Sequence, residues 1–243
     1  MLKHRKIHGF TLLELMVTVA IMAIMAAIAL PSMSKFVANT RVINRAEQIA
    51  NLFRFAKGES IRMNTPVIIC GVNVRSDGRP TGACNATAMT NGSGMMAFAD
   101  KNKNGTYEAN TDVALRTISI NGNLSKQTVS FKIDACPFNQ NNCNVTPGNE
   151  FIFMPNGMFG FRTPGSAVSS YSALSTSSTL GSNYVRFLIS DSARANAPSR
   201  FVIVTPSGST TSCNPVATAS RTTQSKDKST GDMAEVCSRA VKS

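Results

Sequence analysis

A carboxylate inside an apolar segment is the residue of this chain whose chemistry is easiest to define. Glu14 stands four residues after Phe10 in the run 10–30, where the only other polar residues are two threonines. An ionised acid at membrane depth costs about 2.5–3.5 kcal/mol on insertion scales, and such residues usually face a group of opposite charge. A cut between Gly9 and Phe10 creates an amino group close by. We therefore expect Glu14 to pair with such an amine.

A second set of candidate ligands lies in residues 100–105. This segment reads Asp-Lys-Asn-Lys-Asn-Gly, which matches the opening of an EF-hand calcium loop. The position of the closing bidentate glutamate holds Thr111, and Asp112 comes one residue too late. The flanking segments have the composition of strands rather than helices. We interpret the segment as a turn between two strands and expect no metal or other cofactor.

Six cysteines follow the apolar run. An even number of cysteines in an exported chain indicates a disulfide framework. The spacings do not resemble the paired CxxC motifs of a zinc site. Sequence alone leaves the connectivity open, and proximity along the chain favours three neighbouring pairs: Cys70–Cys84, Cys136–Cys143 and Cys213–Cys237.

Catalytic side chains are scarce in this sequence. The two histidines, His4 and His8, precede the proposed cut, so the processed chain has no histidine. That excludes a Ser-His-Asp or Cys-His arrangement and removes the commonest general base. The cysteines are expected to pair with one another, which leaves no thiolate nucleophile. The sequence predicts no catalytic residue and a function other than an enzyme's.

A helix is the element that must position Glu14. The run 10–30 spans roughly 31 Å at about 1.5 Å per residue, enough to cross a bilayer core. Three basic residues precede it and hold the N-terminus in the cytoplasm, so the rest of the chain follows outside. From residue 33 to residue 56 apolar residues recur at three or four positions, which predicts an amphipathic continuation that ends before Pro66. An ordinary secretory signal cut after Ala27 is the alternative.

The remainder of the chain has the pattern of a β-rich head. Short β-type runs, among them 67–74 and 129–133, alternate with Gly, Asn, Pro and Ser from residue 67 onward. The sequence Pro-Asn-Gly at 155–157 predicts a hairpin turn, and the last thirty residues are polar. The predicted fold class is α+β, with a long N-terminal transmembrane and amphipathic helix packed on an antiparallel β-sheet head. The predicted segments are a leader at 1–9, a transmembrane helix at 10–30, a stem helix at 31–64, a head at 65–212 and a disulfide-pinned tail at 213–243.

The order of these N-terminal features is specific. A short basic leader, the sequence Gly-Phe-Thr-Leu-Leu-Glu at 9–14 and an apolar helix together resemble the start of type IV pilins and type II secretion pseudopilins. Residues 67–120, which include the Asp-x-Asn-x-Asn-Gly stretch at 100–105, and the closing strand with its turn, 200–208, resemble the GspH/FimT/FimU minor subunits. The chain departs from that pattern in inserts around 136–143 and 166–182 and in its long tail.

The resemblance implies a pilin-like fold and a structural role. It implies a prepilin peptidase that cuts between Gly9 and Phe10 and methylates the Phe10 amine, and a fibre in which Glu14 meets the Phe10 amine of an adjacent subunit. We predict a minor pilin of a type IV pilus that takes part in assembly and priming at the fibre tip. Its expected partners are major and minor pilins, the prepilin peptidase, and the inner membrane with its assembly platform. The head is expected in the periplasm before the chain enters the fibre.

Two other functions fit the same residues. One is a type II secretion pseudopilin. The other is a FimT-like DNA-uptake receptor, for which the formal charge of +12 is the motive. In members that bind DNA, a Gly-Arg-x-Arg motif follows the closing strand, whereas 208–211 reads Gly-Ser-Thr-Thr here. DNA is therefore the less favoured partner, and a basic stem beside anionic lipid explains part of the charge.

Overall fold

The computed structural model describes residues 10–121, 128–137, 149–163, 166, 168, 172–173, 183–192 and 198–214, with only the backbone at 29–32, 137 and 172–173. The leader 1–9, the predicted partners Cys143 and Cys237, and the tail beyond 214 lie outside the described residues.

One helix joins the predicted transmembrane and stem segments. Helix α1, Leu12–Met63, has 52 residues and runs through Pro31. At about 1.5 Å per residue it is roughly 78 Å long. It ends at Asn64, which adopts a left-handed conformation (φ 48°) and donates its backbone N–H to the carbonyl oxygens of Ile61 and Ser60. Pro66, which disfavours helical geometry in the residue before it, follows two residues later.

The described strands form two larger antiparallel sheets and one hairpin. The six-stranded sheet has the order β5-β4-β1-β7-β8-β9, the four-stranded sheet has the order β12-β11-β10-β6, and β2 pairs with β3. A short helix, α2, is Ala86–Thr90. The strands are β1 Val67–Gly71, β2 Asn73–Val74, β3 Pro80–Thr81, β4 Gly94–Ala99, β5 Val113–Ser119, β6 Val129–Pro137, β7 Glu150–Phe153, β8 Phe159–Arg162, β9 Ser172–Ala173, β10 Asn183–Asp191, β11 Ser199–Val204 and β12 Thr210–Cys213.

Strand β1 shows why apolar runs in this chain do not alternate with polar residues. All five of its residues are buried. Val67 and Ile69 face the cluster that contains α1, whereas Ile68 and Cys70 belong to a second cluster on the other face of the sheet. Both faces are therefore covered, and a strand covered on both faces reads as continuously apolar.

The C-terminal half of α1 is the core helix of the head. Its buried face carries Val42, Ala46, Ile49, Phe53 and Ala56, all fully buried. Residues of both larger sheets pack on this face. The long helix under antiparallel sheets confirms the predicted fold class, with the apolar stripe of the stem serving as the contact surface.

Three differences from the sequence-based strands have a physical explanation in the fold. The predicted strand 67–74 is divided after Gly71, where a side chain would place its Cβ 2.2 Å from the backbone nitrogen of Met89. Strand β6 runs to Pro137 instead of residue 133, because it pairs along its whole length with β10. The polar strand β12 was not predicted, and it forms by pairing with β11 at the sheet edge.

Candidate assembly site and buried polar groups

Glu14 closes a hydrogen-bonded ring at the start of α1. Its Oε2 accepts hydrogen bonds from the Thr11 backbone N–H at 3.2 Å and the Thr11 hydroxyl at 3.1 Å. The Glu14 backbone N–H donates in return to Thr11 Oγ1 at 3.2 Å. This is a capping box, in which the first and fourth residues satisfy donors that the helix leaves free. Oε1 makes no hydrogen bond within the described part of the chain, so this oxygen is open to a second partner.

The helix around Glu14 presents apolar side chains to its surroundings. Every residue from 10 to 28 is exposed, with Phe10 at 82% and Leu13 at 73%. By length and composition, α1 contains a segment apolar enough to cross a membrane, and none of that segment is buried inside the protein. Such a surface requires lipid or other helices around it, so α1 anchors the chain in a membrane. Gly9 lies outside the described residues, and cleavage before Phe10 stays a prediction.

The disulfide Cys70–Cys84 is confirmed, with a Cα–Cα distance of 5.6 Å. Cys136 and Cys213 are also disulfide-bonded. They lie on β6 and β12, the two edge strands of the four-stranded sheet, with two strands between them. Three strand spacings amount to roughly 14 Å, well beyond the Cα–Cα distance of a disulfide, so they do not bond to each other. The pairs Cys136–Cys143 and Cys213–Cys237 remain predictions.

Non-reducing peptide mapping of the purified full-length protein should recover both remaining neighbouring pairs. Each pair closes a short loop, which makes it the connection with the smallest entropy of closure. Recovery of crossed links, Cys136–Cys237 and Cys143–Cys213, would contradict the pairing. Free thiols at these four positions would contradict the oxidised framework itself.

The calcium-like segment is a turn between β4 and β5, as predicted. Asp100 Oδ2 accepts the Gly105 backbone N–H at 2.7 Å. Asp112 accepts the backbone N–H groups of Lys101 at 3.0 Å and Glu108 at 2.9 Å. The side-chain oxygens that resemble calcium ligands therefore satisfy the backbone of their own loop. Burial raises the pKa of Asp100 more than the Gly105 hydrogen bond lowers it.

Sequence reasoning missed a buried ion pair beside this turn. Glu150 on β7 faces Arg162 on β8, with 3.5 Å between Oε2 and Nε. Both residues are buried, and a Cβ at Gly105 would overlap the Arg162 guanidinium. The signal was available, because the predicted turn at 155–157 joins the two strands and places residues 150 and 162 at matching distances from it. Burial raises the pKa of Glu150 to about 7, although the Arg162 charge acts in the opposite direction.

This raised pKa gives the stability of the head a defined pH dependence. Between the ordinary glutamate pKa of about 4.5 and about 7, the folded chain holds a proton on Glu150 that the unfolded chain releases. The free energy of unfolding should therefore fall as pH rises from about 5 to about 8, by up to about 3 kcal/mol from this group. Urea unfolding of the detergent-solubilised full-length protein at several pH values measures the slope.

Two variants identify the group responsible for the slope. Glu150→Gln places a side chain that is neutral at every pH beside Arg162, so it should flatten the slope between pH 5 and pH 8. Glu47→Gln, at an exposed carboxylate, should keep the slope of the unmodified chain. A Glu150→Gln protein with an unchanged slope would show that another group titrates.

Helix α1 is exposed and apolar where it starts, beside the capping acid Glu14, and it then serves as the core helix of a β-rich head. This combination defines a membrane-anchored, pilin-like subunit. Residues 4–30 match the prokaryotic N-terminal methylation motif, and residues 45–179, more than half of the chain, match the family of the type II transport protein GspH. The chain belongs to the GspH family. It is a minor pilin of the type IV pilus family and a structural subunit, not an enzyme.

Individual relatives and solved structures resemble the chain at low sequence identity and over only part of its length. A probable minor fimbrial protein of Dichelobacter nodosus is 28% identical over 149 residues, which are 61% of this chain and 81% of the relative. A fimbrial protein of Pseudomonas aeruginosa is 31% identical over 100 residues, covering 41% and 64%. The crystal structure of the type IV minor pilin FimU of Pseudomonas aeruginosa shares 13% identity at a TM-score of 0.39, covering 72% of this chain and 90% of FimU.

Proposed function

We propose that this minor pilin waits in the inner membrane with its head in the periplasm and primes fibre assembly at the tip. A prepilin peptidase removes residues 1–9 and methylates the new Phe10 amine, and the stem then packs among the stems of other pilins. The observation that carries the proposal is the exposed apolar half of α1, in whose first turn Glu14 keeps one carboxylate oxygen without a hydrogen bond to any described residue.

The stem exchanges lipid for other helices when it enters the fibre, and this exchange determines which interaction can fix its position along the neighbouring stems. Moving apolar side chains from lipid to a bundle of helices gains little, because lipid tails are as apolar as leucine. Packing and polar contacts therefore have to provide the specificity. A pair between Glu14 and the Phe10 ammonium of a neighbour forms only when two stems are aligned, so it favours one register over the others.

A role in type II secretion uses the same stem chemistry. The match to GspH over residues 45–179 supports this alternative, and the fimbrial relatives support the pilus. Both machines need a cleaved, membrane-anchored subunit that packs stem against stem. The cargo and the fibre differ, whereas the proposed function of Glu14 is the same.

The residues that stand where DNA-binding members carry their Gly-Arg-x-Arg motif make hydrogen bonds to helix α1. Gly208 and Ser209 lead into β12. The carbonyl of its first residue, Thr210, accepts hydrogen bonds from Arg54 Nε at 3.2 Å and Nη2 at 3.1 Å. Lys57 Nζ donates to the Ser207 carbonyl at 2.7 Å. The basic residues next to this turn therefore hold it against α1. This favours a packing function over a phosphate contact at that turn.

Fibre counts and labelling of the chain test the proposal together. Deleting the gene should lower the number of surface fibres per cell, and a tagged copy of the chain should restore it. The tag should appear in sheared fibres at far fewer copies than the major subunit, and gold labelling should find it at fibre ends. Label spread along the shaft would contradict the tip location, and absence from sheared fibres would contradict incorporation.

A further inference from the structure

The four-stranded sheet is buried on both of its faces. Val185 and Phe187 belong to the cluster that contains α1, and they mark the inner face. Side chains along a strand alternate between the two faces, so Tyr184, Phe201 and Ile203 mark the outer face. All three are at most 1% exposed, and the described residues of their cluster all come from this sheet. A further part of the chain therefore has to cover the outer face.

A charged pair on the outer face is also shielded from solvent. Arg186 Nη2 donates to Asp134 Oδ2 at 2.9 Å, and the Arg186 guanidinium lies 4.9 Å from the centroid of the Phe201 ring. The side chains of the pair are only 5% and 8% exposed. Charged groups on an open sheet face stay hydrated, because removing them from water costs free energy. The burial of this pair therefore requires a layer of chain above it.

The cysteines identify the segments that are attached to this face. Cys136 and Cys213 belong to the outer cluster and are both disulfide-bonded, and the distance across the sheet prevents a bond between them. Two more of the six cysteines form the disulfide between β1 and the loop before α2. Cys143 and Cys237 are the partners that remain. Whichever of the two possible pairings holds, Cys237 is bonded to an edge strand of this sheet.

The tail is the attached segment that can remain over the outer face. Residues 138–148 connect β6 to β7, which lies in the other large sheet, so this segment has to leave the face. Residues 214–243 instead follow β12, an edge strand of the four-stranded sheet itself. Cys237 follows Cys213 by 24 residues, which span up to about 80 Å when extended. The roughly 14 Å between the two edge strands is well within that reach.

The sequence around Cys237 has the pattern of an amphipathic helix. Apolar residues recur at helical spacing from 233 to 241, and Cys237 lies at the centre of this stripe. Asp232 precedes the first of them, and Glu235 follows Asp232 by three positions, which is the signature of a capped helix start. The stripe consists of Met233, Val236, Cys237, Ala240 and Val241, and the opposite side of Glu235, Ser238, Arg239 and Lys242. Because the Cys237 sulfur bonds to the sheet, the apolar stripe is the side turned toward it.

We propose that residues 233–242 form a helix that docks on the outer face, with its apolar stripe against Tyr184, Phe201 and Ile203 and with the Cys237 disulfide holding it there. The four-stranded sheet then lies between two helical layers, α1 on the inner face and the tail helix on the outer face. This second layer is the cover that the buried charged pair requires. In the fibre proposed above, neighbouring pilins meet the polar side of the tail helix rather than an apolar sheet.

Chemical cross-linking of the native full-length protein tests where the tail lies. Lys132 lies on the outer side of β6, with 62% of its side chain exposed. A short amine-reactive cross-linker should join Lys132 to Lys228 or Lys242 of the tail. Lys101 and Lys103, on the turn between β4 and β5, are exposed as well and should not be joined to the tail. Absence of any link between the tail and Lys132 would overturn the docking.

Two substitutions in the tail distinguish docking of the helix from its attachment by the disulfide. Val236→Asp places a charge in the apolar stripe, whereas the matched control Ser238→Asp places the same charge on the opposite side. Hydroxyl-radical labelling with mass spectrometry should find oxidation of Tyr184 raised several-fold in Val236→Asp and unchanged in Ser238→Asp. Phe187, on the inner face of the same strand, should stay protected in both variants.

The labelling has two outcomes that contradict the tail helix. One is unchanged protection of Tyr184 in Val236→Asp, and the other is equal oxidation of Tyr184 in the two variants. If Phe187 loses its protection as well, the variant is unfolded, and the cross-links of the unmodified chain decide. Neither experiment depends on fibre assembly, so failure of the tail helix and failure of the proposed function are distinguishable.

Discussion

Glu14→Ala is expected to lower incorporation of the chain into fibres at least ten-fold, while membrane insertion and cleavage stay normal. The variant removes the only acid of the apolar segment, so insertion into lipid becomes easier rather than harder. In the assembled fibre the neighbouring Phe10 ammonium then loses its partner at a buried position. A factor of ten corresponds to about 1.4 kcal/mol, less than the cost of one unpaired charge at membrane depth.

Glu14→Gln separates the charge of this residue from its capping function. Glutamine at this position of a capping box still accepts the Thr11 backbone N–H, so the helix start is preserved. It has no charge for an ammonium. We expect Glu14→Gln to fail in incorporation nearly as completely as Glu14→Ala. Normal incorporation of Glu14→Gln would assign the effect to the cap, and normal incorporation of both variants would remove Glu14 from assembly.

Incorporation must be measured for this chain itself. Sheared fibres from a strain that carries only the variant are quantified for the chain by a tag on the head, relative to the major subunit. Total piliation is a weaker readout, because a minor subunit can lose its register while other pilins continue to assemble. Membrane fractions from the same cells show whether the variant was inserted and cleaved.

Phe53→Ala is expected to lower the free energy of unfolding by about 3–5 kcal/mol. Phe53 is fully buried on α1, and its ring lies with centroid distances of 5.1–6.2 Å from four other phenylalanines. Phe151, Phe153 and Phe159 belong to the six-stranded sheet, and Phe187 belongs to the other. One ring therefore joins the helix to both sheets. A loss of this size is a large part of a domain's 5–15 kcal/mol.

Phe55→Ala is the matched control for the loss of the Phe53 ring. Phe55 lies two residues away on the same helix, is only half-buried, and has the Arg116 guanidinium above its ring at 5.5 Å. The same loss of a ring should cost about 1 kcal/mol there. Urea unfolding of the detergent-solubilised full-length proteins, followed by circular dichroism, compares the two variants. Equal losses would show that Phe53 is not the centre of the core.

Local patterns predicted the parts of the fold that depend on near neighbours. The apolar run with Glu14, the amphipathic stripe through Phe53, and the turn at 155–157 all follow from residues within a few positions of one another. In the turn, the Met154 backbone N–H donates to the Met158 carbonyl at 2.9 Å, which closes the expected hairpin connection. The spacing of Cys70 and Cys84 likewise predicted their disulfide.

Features that depend on distant strands were not predictable in this way. The end of β6 is set by its pairing with β10, which lies about fifty residues later, and polar β12 is a strand because β11 offers it an open edge. The ion pair between Arg41 and Asp191 likewise joins residues that are 150 positions apart. Such properties depend on which strands and helices pack against each other. A sequence pattern of period two or 3.6 identifies single elements but not their neighbours in the fold.

The N-terminus of the chain in assembled fibres is the most direct test of the account. Mass spectrometry of this chain from sheared fibres should find an N-terminus at Phe10, with the added mass of a methyl group on its amine. That result would establish the cut that creates the partner for Glu14. An N-terminus at Met1, or one after Ala27, would contradict the account, because the chain would then lack the amine or the membrane stem on which assembly depends.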